Sequence, residues 1–160
     1  MKLSPRQPHL TRYENWFVAS VGVLLLVTAC IKFVSAFQPA SYAKSHNAVI
    51  GLFTNQQIYV ITGFFEMFVV LGLLFLKSNL LRISMILWAG CCFALYHVAE
   101  SQLDPVGTRC PCLGNMDQWL NVSPQSMNSV VLGMIAYCLC ISALFLVLKL
   151  IKWPRDFVNE

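Results

Sequence analysis

Four long apolar runs, separated by three polar connections, organise the chain. They read as Trp16–Phe37 (WFVASVGVLLLVTACIKFVSAF), Ile58–Leu76 (IYVITGFFEMFVVLGLLFL), Leu80–Ala99 (LLRISMILWAGCCFALYHVA) and Ser129–Ile151 (SVVLGMIAYCLCISALFLVLKLI). A helix needs roughly 20 apolar residues to cross a hydrocarbon core of about 30 Å, and each run meets that length. The predicted fold is all-α, a four-transmembrane-helix bundle forming one integral membrane domain over residues 1–160. The connection around LKSN is short enough to make runs two and three a tight antiparallel hairpin. The first connection, Gln38–Gln57, is longer and polar. The third, residues 100–128, is the longest and carries Pro105, Pro111 and Pro124. Function is expected on these longer loops.

Composition supports a lipid environment. Charged residues make up 11% of the chain and hydrophobic residues 58%, against about 25% charged in soluble domains. The first run is too long for the apolar region of a signal peptide, and Lys32 interrupts its end, so it reads as a span. The net charge of +4 is a topology signal and not a nucleic-acid footprint. Lys2, Arg6, Arg12, Lys77, Arg82, Lys149, Lys152 and Arg155 fall on one side of the four spans, against Lys44 and Arg109 on the other. The positive-inside rule then predicts that both termini are cytoplasmic and that the first and third loops face outward. In a bacterium this is an inner (plasma) membrane protein whose third loop enters the oxidising periplasm. Trp16, Tyr59, Trp119 and Trp153 fall near predicted interfaces, where aromatic rings anchor spans.

The third loop contains the candidate chemistry, TRCPCLGN. Cys110 and Cys112 flank Pro111. A disulfide needs its Cα atoms within about 4.4–6.8 Å, which a turn between residues two apart provides. Pro111 restricts its own backbone and that of Cys110, and Gly114 lets the chain turn back. A bond formed here is strained, and strained, exposed disulfides are the labile, oxidising ones. Arg109 favours a thiolate by charge. The competing readings are a structural disulfide, including one from this loop to Cys30, and a metal site. Zinc needs about four ligands at other spacings, and no second outward cysteine pair is present, so no metal is expected.

Charges within the runs are the second signal. Lys32 lies near the outer end of the first span and Glu66 lies deeper in the second. Burying an isolated charge costs about 2.5–3.5 kcal/mol on insertion scales, so the two are predicted to form an intramembrane ion pair. The alternatives are a proton relay, or a lysine that snorkels to the surface with Glu66 as its structural partner. His97 and Glu100 end the third span on the same side. His97 is a candidate acid–base group for a nearby thiol, or a satisfied polar residue; Glu100 reads as a solvated helix-end charge. Cys91, Cys92, Cys138 and Cys140 read as small buried hydrophobes. Cys30, near Lys32, is the exception that could act as a resolving thiol.

Taken in order, these motifs resemble the MauE/DoxX-like redox-associated membrane proteins. The likeness rests on VGVLLLVTACIKF, TGFFEMFVVLGLL and CPCLG, and covers most of the chain. Leu113 stands where the family usually has an aromatic residue. On this resemblance Lys32, Glu66, Cys110, Cys112 and Gly114 are the corresponding positions. It implies thiol–disulfide exchange or maturation of extracytoplasmic partner proteins, with a thioredoxin-like or disulfide-bearing protein as partner. The exchange reading makes Cys110 and Cys112 a redox pair, with a quinone or a thioredoxin-like domain as electron partner; no residue pattern specifies a quinone site. The competing class is a non-catalytic subunit of a larger membrane complex. Small residues in spans one, three and four suit close helix contacts in that case. A transporter is disfavoured by the lack of internal repeats or broken helices.

Overall fold

The computed structural model describes residues 8–38, 44–47, 49–103 and 121–158. Four helices account for nearly all of them: α1 (Pro8–Phe37), α2 (Asn55–Phe75), α3 (Asn79–Leu103) and α4 (Pro124–Val158). Each is long and apolar enough to cross a membrane, so the chain is a multi-pass membrane protein with lipid-contacting helices. Most helix ends run past the apolar segments that predict them into polar sequence, while α2 stops at Phe75, one residue short of its segment. The largest difference is at α4, which begins within the expected loop. Pro124 occupies its first position, where a missing N–H costs no hydrogen bond. The Ser123 hydroxyl accepts from the Ser126 amide at 3.3 Å.

Local chemistry fixes the other ends. Thr54 caps α2 and forms a capping box with Gln57, satisfying two otherwise orphaned amides. At the far end, Arg82 in the first turn of α3 donates to the Leu76 carbonyl. That cation meets the negative end of α2 and holds the hairpin shut.

The interior follows heptad-like spacing. On α1 the buried stripe is Glu14, Val18, Val21, Leu25, Thr28, Lys32 and Ser35; on α2 it runs through Tyr59, Glu66, Val70 and Leu73. On α3 it is Ile83, Ile86, Gly90 and His97, and on α4 Met127, Val131, Cys138 and Ser142. Steps of three and four residues keep one face inward, as in bundles with shallow crossing angles. Close approach is set by glycine. A methyl group at Gly63 would sit 3.1 Å from the Phe33 ring, and one at Gly90 would sit 3.0 Å from Leu139. These two positions bring α1 against α2 and α3 against α4. Phe17 joins α1 to α4 through edge-on contact with Tyr137, ring centroids 5.5 Å apart.

Candidate functional site

Lys32 and Glu66 meet between α1 and α2. The Lys32 ammonium donates to Glu66 Oε1, with side chains 1% and 3% exposed. Lys32 lies five residues from the Phe37 end of α1, about 7 Å at 1.5 Å per residue. It does not snorkel toward that end. A helical Cα–Cβ bond tilts toward the helix N-terminus, which on α1 points deeper into the bundle, and Glu66 lies in that direction. The Phe93 ring of α3 faces the ammonium at 5.4 Å, adding a cation–π contact.

The pair is incompletely satisfied. Glu66 Oε2 is buried and accepts no hydrogen bond among the described residues. The Thr28 hydroxyl lies between two acceptors, the Leu25 carbonyl at 3.0 Å and the Glu66 carboxyl, and its single proton can serve only one of them at a time. An ammonium has three N–H donors, and among the described residues Glu66 Oε1 is the only hydrogen-bond acceptor for Lys32. A free acceptor and free donors therefore sit side by side.

Both face an open cleft whose enclosed room is about 50 Å³ for the centres of water-sized spheres. All four helices contribute to it. Beyond Thr28, Lys32 and Glu66 its walls are apolar, among them Val21, Ala89, Phe93, Val131, Ile135 and Cys138. Its lining residues lie along the middle of the spans.

His97 lies one turn beyond Phe93 on the same face of α3 and is buried. Glu100 is half-buried and engaged, which corrects the expectation of a solvated helix-end charge. Cys110, Cys112 and Gly114 lie outside the described residues, as does Arg109. The loop carrying them leaves α3 at Leu103 and re-enters near Asn121, so both its stems stand at the Phe37 end of the bundle.

The remaining cysteines divide by face. Cys30, Cys91, Cys92, Cys138 and Cys140 are free thiols. Cys138 packs in the core, but Cys30, Cys91 and Cys140 are exposed on the lipid side, contrary to the expectation that Cys91 and Cys140 are buried. Cys30 is two residues from Lys32, about 200° around the helix, and so points away from the ion pair. Tyr59 also departs from expectation. It is fully buried and is no interfacial anchor, because it shares the inward face of α2 with Glu66, seven residues on. Trp16 is exposed as an anchor would be; Trp119 and Trp153 lie outside the residues whose side chains are described.

Two polar clusters escaped the sequence reading. Glu14, 3% exposed, pairs with Lys149 of α4 at 3.1 Å and accepts from Asn79 of α3 at 3.1 Å, tying three helices at the end opposite Lys32. At the Phe37 end, Asn47 organises the first loop. Its Nδ2 donates to Asn55 at 2.9 Å and to the Tyr96 hydroxyl at 2.8 Å. Its Oδ1 accepts from the Val49 and Ile50 amides, both at 3.0 Å. Glu14 was legible as an acid on the heptad stripe of Lys32; Asn47 had no signal beyond its turn-forming type.

No family model, curated protein or solved structure matches this chain.

Proposed function

We propose that the chain is a MauE/DoxX-like, redox-associated protein of the bacterial inner membrane that supports thiol–disulfide exchange through Cys110 and Cys112. In this reading both termini are cytoplasmic and the C-P-C loop is periplasmic. Exchange moves two electrons and two protons between the loop pair and a cysteine pair on an extracytoplasmic partner. One disulfide breaks as the other forms, through a mixed disulfide. A thioredoxin-like protein suits the partner role, and a quinone suits that of terminal electron acceptor. His97, on the inward face of α3 below the loop stem, would be the proton-exchanging group.

The observation that carries the reading is cysteine accounting. The sequence has seven cysteines, and the five in the helices are free. A Cys30 staple to the loop is therefore disfavoured, and any disulfide that Cys110 or Cys112 forms is with the other or with a partner. The test is the reduction potential of this pair, read by thiol alkylation and mass spectrometry across a glutathione series, with Cys110→Ser as control. A reversible transition near or above about −200 mV is the expected result for an exchange centre.

The second reading, a non-catalytic subunit of a larger membrane complex, draws on α4. Only 17% of its apolar window is buried, against 39% for α1, leaving a broad face for lipid or a larger subunit. A loop pair that stays oxidised below about −300 mV, together with co-purification at fixed stoichiometry, would put this reading first.

A further inference from the structure

We propose that the intramembrane cleft is a binding site for a hydroxyl-headed, lipid-soluble molecule. Its hydroxyl would be seated between Lys32 and Glu66 and its hydrocarbon body would lie along α3 and α4. This inference is independent of the thiol chemistry proposed for the loop.

Two observations, the lining of the cleft and an unsatisfied oxygen at one end of it, carry the inference. The cleft is open at its mouth and its enclosed room is small, about 50 Å³ for the centres of water-sized spheres, enough for a compact head group in place of a few waters. Its walls are apolar with polar groups gathered at one end, the pattern that orients an amphipathic ligand. That end has a buried carboxylate oxygen without a donor, beside an ammonium with N–H groups to spare among the described residues. An unpaired polar atom this deep is costly.

The head-group chemistry follows from what is missing. Glu66 Oε2 requires a donor and Lys32 offers one. A hydroxyl does both, donating to Oε2 while accepting from Nζ. A ketone or ester carbonyl would satisfy only Lys32, and a carboxylate would be repelled by Glu66. The body must be apolar, since Val131, Ile135, Ala89 and Phe93 offer no hydrogen bond. Two membrane-soluble sources fit this chemistry, a hydroquinone and a long-chain or isoprenoid alcohol.

The experiment uses the full chain in phosphatidylcholine nanodiscs. Binding of decylubiquinol and of farnesol is measured by equilibrium dialysis, with decylubiquinone as the carbonyl-only comparison. Saturable binding of either hydroxyl probe, with decylubiquinone at least about tenfold weaker, is expected, since one hydrogen bond to a charged group is lost. Preference between the two hydroxyl probes identifies the source. Ala89→Leu and Val131→Phe fill the cleft without touching the ion pair, and both should abolish binding while the helical circular dichroism signal is retained. Failure of both hydroxyl probes to saturate the wild type would overturn the proposal and leave water as the occupant. Equal binding of decylubiquinone, or undiminished binding to both folded cleft-filling variants, would also overturn it.

Discussion

Replacing Lys32 by Met should destabilise the protein severely, and replacing Glu66 by Leu at the same time should restore most of the loss. The magnitude follows from burial. Solvent-exposed ion pairs are worth about 0.2–1 kcal/mol, but side chains only 1% and 3% exposed are outside that regime. Removing one partner of a buried pair typically costs about 3–5 kcal/mol, because the remaining charge is stranded. Lys32→Met removes the ammonium that pairs with Glu66 Oε1 and leaves the carboxyl with the Thr28 hydroxyl as its one remaining side-chain partner among the described residues. Substituting both residues removes the stranded charge and fills the space with hydrocarbon. The double variant should therefore lie within about 1–2 kcal/mol of wild type, as apolar replacement of buried pairs is often neutral or better. The assay is reversible unfolding in mixed micelles, followed by far-ultraviolet circular dichroism, with Lys32→Met, Glu66→Leu and the double variant completing a cycle. A coupling energy below about 0.5 kcal/mol would show that the two residues act independently and would refute the reasoning. So would a Lys32→Met loss of less than about 1 kcal/mol, the value of a solvated pair.

At the opposite end, Lys149→Met should cost more than Glu14→Gln, about 2–3 against about 1 kcal/mol by unfolding. The first strands a buried carboxylate, whereas Lys149, 28% exposed, can turn to water when its partner is neutral. Gly90→Ala and Gly63→Ala should each destabilise, by about 1 kcal/mol or more for overpacking. Gly133→Ala, with nothing within 4 Å of the added methyl, should be neutral or stabilising by up to about 1 kcal/mol; thermal unfolding of the three separates them. Asn47→Asp should protect the Val49 and Ile50 amides from hydrogen exchange better than Asn47→Ala does, by about tenfold or more, because an oxygen at the Oδ1 position still accepts from both, although the donor to Asn55 and Tyr96 is lost.

How much of this was readable in advance differs by residue. The fold class was legible because hydropathy over 20 residues is a strong signal when the solvent is lipid. Lys32 and Glu66 were legible as partners for the same reason. Two opposite charges deep in neighbouring spans have few other ways to be accommodated. The inward faces were harder to see. In a bilayer both the packed and the lipid-exposed faces are apolar, so the usual contrast between core and surface disappears. Tyr59 looked like an interface anchor by its place along the span, when its rotational position made it core. Cys91 and Cys140 looked buried by depth, when they face lipid.

The sequence by itself determined the number of spans, the hairpin between the second and third, and the residues that must find an internal partner. Those properties depend on local composition and the energy of placing charge in hydrocarbon, which neighbouring helices do not change. Only the tertiary structure decided that Glu14 binds Lys149 across 135 positions. It also decided that Asn47 pins the first loop to Tyr96, and that the four helices leave a cleft beside an oxygen with no donor. Such features depend on the rotation and separation of whole helices. These are set by close contacts such as Gly63 against Phe33 and Gly90 against Leu139, and no single segment encodes them.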